Sequence, residues 1–223
     1  MVAAETTGSV LAKPRLRGVS HQWAFFVSLA LGAVLVPLAP PGRATVATAI
    51  YATSVASLFG VSALYHRVNW STAAARRWMR RLDHTMIFFL IAGSYTPFAL
   101  LVLDGTLATV VLVAVWSGAA AGMLLKLLWI DAPKWLAALT YVLLGWVALA
   151  VFPGLIDELG ITAAALLGAG GLLYTAGARV YASGRPDPVP SVFGYHEVFL
   201  ALVIVAAGLQ YAVVAFFVLP AAG

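Results

Sequence analysis

Apolar residues run along this chain in seven long blocks separated by short polar stretches. The blocks fall approximately at 21–39, 44–65, 82–103, 107–129, 135–153, 161–182 and 195–219. Each is close to the length of helix, about 20 residues, that crosses a hydrocarbon core near 30 Å. Such a span must satisfy its own backbone hydrogen bonds in lipid, so the pattern predicts seven transmembrane helices. The first block follows Lys13, Arg15 and Arg17 and precedes small residues, an order shared with signal peptides. It is long for a signal core and six more blocks follow it, so it is read as a span.

The polar stretches orient these helices. Lys13, Arg15 and Arg17 precede the first block, and Arg67, Arg76, Arg77, Arg80 and Arg81 separate the second from the third. Lys126 and Lys134 flank the fourth connection, and Arg179 and Arg185 the sixth. Of the 13 basic residues, only Arg43 falls on the other side, where Asp104, Asp157 and Glu158 lie. The positive-inside rule therefore predicts a cytoplasmic N-terminus and an outside C-terminus. The expected fold is all-α, a seven-helix transmembrane bundle. Residues 1–20 form a cytoplasmic N-terminal segment and 21–219 a single transmembrane domain, with no long linker and no obvious repeat.

Composition agrees with this class. Hydrophobic residues make up 63% of the 223 positions and charged residues 9%, against about 25% charged in a typical soluble domain. The net charge of +5 is explained by topology, so no nucleic-acid partner is needed and membrane lipids are the expected surroundings. There is no cysteine, which excludes disulfides, thiolate metal sites and a Cys nucleophile. Any metal must be held by His and oxygen ligands.

Three connecting features carry further expectations. The segment Ser71 to Arg81 reads either as a topology determinant or as a short interfacial helix capped by Ser71 or Thr72. Arg185-Pro-Asp-Pro-Val-Pro190 resists helix formation and sets where the seventh span starts. Gly93-Ser-Tyr-Thr-Pro97 favours close packing and a kink in the third span, with Tyr95 and Thr96 packing or lining a cavity. Trp23, Trp70, Trp78, Trp129 and Trp135 suit an aromatic belt at the interface.

Candidate chemistry gathers at the inner boundary. Ser62 and His66 are four residues apart and share a helix face at the end of the second span. Asp83 opens the third span and His196 the seventh, so all four fall at one depth. Imidazole nitrogen and carboxylate oxygen are zinc ligands, and zinc makes water a nucleophile near neutral pH. Asp83 could orient that water or accept its proton, and Ser62 could hold a ligand imidazole or polarise a carbonyl. Without a metal, the same residues are read as groups satisfied by hydrogen bonds.

Ser62-Ala-Leu-Tyr-His66, the stretch from Asp83 to Pro97, and Phe193-Gly-Tyr-His-Glu-Val-Phe199 resemble the hemolysin III family of bacterial membrane proteins, relatives of the adiponectin and progestin receptors. Lys13-Pro-Arg-Leu-Arg-Gly18 with His21, and Gly171-Leu-Leu-Tyr-Thr-Ala-Gly177, extend the likeness over nearly the whole chain. The resemblance implies a seven-helix bundle in a bacterial inner (plasma) membrane, with zinc near the inner face. It assigns metal binding to His66 and His196, the Asp position to Asp83 and the accompanying Ser to Ser62. The family's second helix-seven His, four residues after the first, is here Leu200, and Gln210 is a further departure. Asp83 could join the first shell, or Glu197, His21 or His84 could compensate.

Some readings are excluded. His196-Glu-Val-Phe-Leu200 lacks the second His of a zinc-protease motif. The only lysines, Lys13, Lys126 and Lys134, leave none for a retinal Schiff base in the last span. Two functional expectations remain: a zinc-dependent hydrolase of lipid amides or esters using Ser62, His66, Asp83 and His196, or a non-enzymatic sensor, regulator or ion conductor with a degenerate metal site.

Overall fold

The computed structural model describes residues 13–223, so residues 1–12 of the expected N-terminal segment lie outside the described residues. Its helices are α1 (Val19–Leu38), α2 (Arg43–Arg67), α3 (Ala73–Leu101), α4 (Gly105–Leu128), α5 (Lys134–Gly145), α6 (Phe152–Ser183) and α7 (Tyr195–Val213). A 3₁₀ turn, Trp146–Ala150, prolongs α5. A π-helical stretch, Val214–Val218, and α8 (Leu219–Ala221) prolong α7. Six of these helical segments are long and apolar enough to cross a membrane, and Lys134–Ala150 is apolar but shorter. The chain is an all-α, multi-pass membrane helix bundle.

Consecutive helices lie side by side and α1 returns to α7, which closes the bundle into a ring. Large apolar side chains cover the outside, among them Phe26, Val113, Leu128, Leu172 and Phe216. Small and hydroxylated residues fill the interfaces. Thr48, Ser54, Ser94 and Thr96 are buried and donate to carbonyls of their own helices. Their polarity is thereby neutralised while their size lets backbones approach. A Cβ on Gly93 would collide with Ser54 of α2, so the close packing expected there is present. Pro97 does not interrupt the helix.

α3 is longer than its apolar block. Thr72 caps it by accepting from the Ala75 N–H at 3.1 Å, and the segment read as a topology determinant or a short interfacial helix forms its first turns. At 29 residues it extends roughly 43 Å and so overshoots the hydrocarbon core. Its arginines pin the end of α4 and the fourth connection. Arg77 and Arg80 donate to Asp131 at 2.6 and 3.0 Å, and Arg81 donates to the Leu127 carbonyl at 2.9 Å.

Further contacts draw the basic segments to one end. Arg15 and Leu16 donate backbone N–H groups to Ser191 and Val192 at 3.0 and 3.1 Å, and Lys134 donates to the Tyr195 hydroxyl at 3.0 Å. The N-terminal segment and the second, fourth and sixth connections therefore share one end, in the grouping that the charges predict. Gly223 lies beside Pro40 at the opposite end. Gly160, with φ 82°, divides α6 between a short first part and the part matching the 161–182 block.

Candidate functional site

His66 stands in the last turn of α2 and Ser62 one turn before it, both buried. Asp83 reaches the same point from α3 and His196 from the first turn of α7. The Nε2 atoms of His66 and His196 are 3.0 Å apart, and Asp83 Oδ2 is 3.8 Å from His66 Nε2. Ser62 lies against the Asp83 carboxyl. The structure thus brings all four expected residues together, because α3 packs on α2 while α1 links α2 to α7.

Local backbone shape makes this convergence possible. Gly18 adopts φ 76° just before α1, and a Cβ there would sit 2.5 Å from the His66 Cβ. Only glycine offers both the conformation and the clearance. Asp187 accepts from the Tyr195 N–H at 2.8 Å, so the proline-rich connection fixes the start of α7 as expected. Glu197 is 1% exposed and accepts from the Gly194 N–H at 2.8 Å and from Arg17 Nε. Its carboxylate anchors the N-terminal segment over the site and does not turn inward, against the expectation that it could compensate as a ligand.

Two facing imidazole nitrogens need either a shared proton or a cation between them. Two ligands of a tetrahedral zinc at 2.0–2.1 Å are separated by about 3.3 Å, near the distance between His66 and His196. The donor set fits zinc in its chemistry: two imidazoles, a carboxylate and a neighbouring hydroxyl. Among the described residues, no three His, Cys, Asp or Glu side chains already close around a metal position. The side chain one turn beyond His196 is Leu200, 2% exposed and apolar.

The remaining histidines differ from one another. His84 Nδ1 faces the Arg80 carbonyl at 2.8 Å, and its Nε2 faces the Tyr181 hydroxyl at 3.1 Å. A carbonyl only accepts, so Nδ1 carries the proton and Nε2 accepts from Tyr181; both nitrogens are engaged. His21 is 2% exposed, rests edge-on against Phe59 at 4.9 Å, and has no partner at either nitrogen among the described residues.

Below the cluster lies a cavity of about 190 Å³ at the centre of the ring, against the 10–15 Å³ that one water needs. His21, Ser62, Asp83 and His196 line its basic end, and on α3 its wall continues from Asp83 to Ala99, roughly 24 Å of helix. Most of that wall is Leu, Ile, Val, Phe and Gly. Tyr95 lines it as well as packing: its hydroxyl donates to the Gly145 carbonyl and accepts from the Ala148 N–H, which stabilises the break after α5. The hydroxyls of Tyr141 and Tyr174 also line the cavity and have no partner among the described residues. Sequence reading missed Tyr141 and Tyr181, which resemble packing residues of any apolar block; Tyr174 carried a signal, since it lies in the stretch 171–177.

A family model described as haemolysin-III related matches residues 10–211. Hemolysin-3 of Bacillus cereus is 30% identical over 179 residues, covering 80% of this chain and 78% of that protein. The Hemolysin-3 homolog of Bacillus subtilis is 33% identical over 132 residues, covering 59% and 61%. The human monocyte to macrophage differentiation factor is 27% identical over 165 residues, covering 73% and 66%.

Proposed function

Because the chain belongs to the haemolysin-III related family, we propose that it is a membrane-embedded, zinc-dependent hydrolase of lipid amides or esters. The supporting observation is the meeting of His66, His196, Asp83 and Ser62 at the head of a long apolar cavity. Zinc held there would make water nucleophilic near neutral pH and polarise a carbonyl. His66 and His196 would hold it, their Nε2 atoms facing one another. Asp83 would complete the donor set or serve as the proton acceptor. The Ser62 hydroxyl, against the Asp83 carboxyl, orients it or donates to a substrate carbonyl in its place. The apolar wall accommodates an acyl chain, placing the amide or ester at the polar end. The basic connections and bacterial relatives favour an inner (plasma) membrane, with the site on the cytoplasmic side.

Leu200 supports a second reading, a membrane sensor, regulator or ion conductor with a degenerate metal site. Metal content of detergent-purified protein separates the two. The hydrolase reading expects about one zinc per chain, lost in His66→Ala and in His196→Ala. Asp83→Asn should then keep the fold and most of the metal while lipid turnover falls roughly 10²–10⁴-fold. Wild type that stays zinc-free after zinc supplementation favours the second reading, and unchanged turnover in Asp83→Asn removes that residue from the chemistry.

A further inference from the structure

The donor that α7 lacks at position 200 has a counterpart on α1. His21 lies one turn beyond Gly18, whose Cα abuts the His66 side chain. It lines the same cavity wall as Ser62, Asp83, His196 and Leu200. Its ring stands next to the Leu200 backbone. It is therefore at the level where a side chain from position 200 would meet the other two imidazoles.

Its hydrogen bonding is equally specific. A neutral imidazole carries one N–H and one lone pair, and in His21 both are buried without a well-formed hydrogen bond among the described residues, the Leu200 backbone being the polar group beside the ring. Of the other candidate imidazole and glutamate donors, His84 is engaged by Arg80 and Tyr181 and Glu197 by Arg17 and Gly194; Asp83, 3.8 Å from His66 Nε2, supplies an oxygen and not the imidazole that position 200 lacks. Ligating imidazoles usually donate their second nitrogen to a carbonyl or carboxylate, and the Leu200 carbonyl is beside this ring. We infer that His21 is the third imidazole ligand of the metal site, supplying from helix one the donor that Leu200 cannot supply from helix seven. This rests on the zinc reading above. The three rings do not yet share a common point, so holding the metal would require the His21 side chain to turn toward the other two imidazoles.

The test uses the full chain in detergent with zinc as the only probe. Zinc K-edge absorption of the wild type should give three imidazole nitrogens, and competition with a chelator should find His21→Gln weaker by at least about tenfold. In the double variant His21→Gln with Leu200→His, affinity should return. Thermal melting checks that each variant folds, and the wild-type spectrum does not depend on any variant. A two-imidazole shell in the wild type overturns the assignment and leaves zinc binding standing, as does equal affinity in His21→Gln. A wild type that binds no zinc overturns the zinc reading, and His21's role with it.

Discussion

Gly18 holds φ at 76° and leaves no space for a side chain against His66, so one glycine outside the transmembrane helices positions an imidazole within the site. Gly18→Ala should lower stability by roughly 1–3 kcal/mol and reduce zinc occupancy by displacing His66. Thermal melting with metal analysis checks both, and wild-type values in both would sink the positioning role. Residue identities made Ser62, His66, Asp83 and His196 legible in advance, since ionisable groups at a membrane boundary need partners. The same reasoning left Glu197, His84 and His21 equivalent. They differ only in what surrounds them: a guanidinium and a backbone N–H for Glu197, a carbonyl and a phenol for His84, and for His21 the Leu200 backbone beside a ring that makes no well-formed hydrogen bond among the described residues.

The extra turns of α3 act together with the connection between α4 and α5. Arg77 and Arg80 hold the Asp131 carboxyl below the usual carboxylate range, through hydrogen bonds and charge. A depressed carboxylate stabilises the fold above its unfolded pKa, and the contribution is lost as pH falls through the lower folded value. Wild type should therefore lose more stability than Asp131→Asn as pH falls from 7 through the acid range, and high salt should narrow the difference. Melting curves across pH at two salt concentrations measure this; parallel profiles would mean the contact holds nothing together. The apolar blocks revealed seven elements because about 20 apolar residues favour a helical span wherever they occur. They did not reveal that α3 begins at Ala73, where Thr72 caps a polar helix start, or that α5 gives way to a 3₁₀ turn served by Tyr95. Both depend on groups distant from the apolar pattern.

At the scale of the molecule, the basic segments meet at one end and Gly223 lies at the other. The absence of cysteine allows a direct test of which end faces the cytoplasm. Ser71 and Asp157 are exposed at opposite ends, and an impermeant thiol reagent added to intact cells should label Asp157→Cys and leave Ser71→Cys unlabelled until lysis. The reverse pattern would invert the bundle. The helical elements, the gathering of the basic connections at one end and the chemistry available follow from the sequence by itself, because hydrophobic length and loop charge act on each segment against the bilayer, whatever its neighbours. The ring closed by α1 and α7, the cavity at its centre, the 3.0 Å meeting of His66 with His196 and the isolation of His21 were decided only by tertiary structure. They arise from side-chain fit between helices far apart in the chain, a property that no single segment carries.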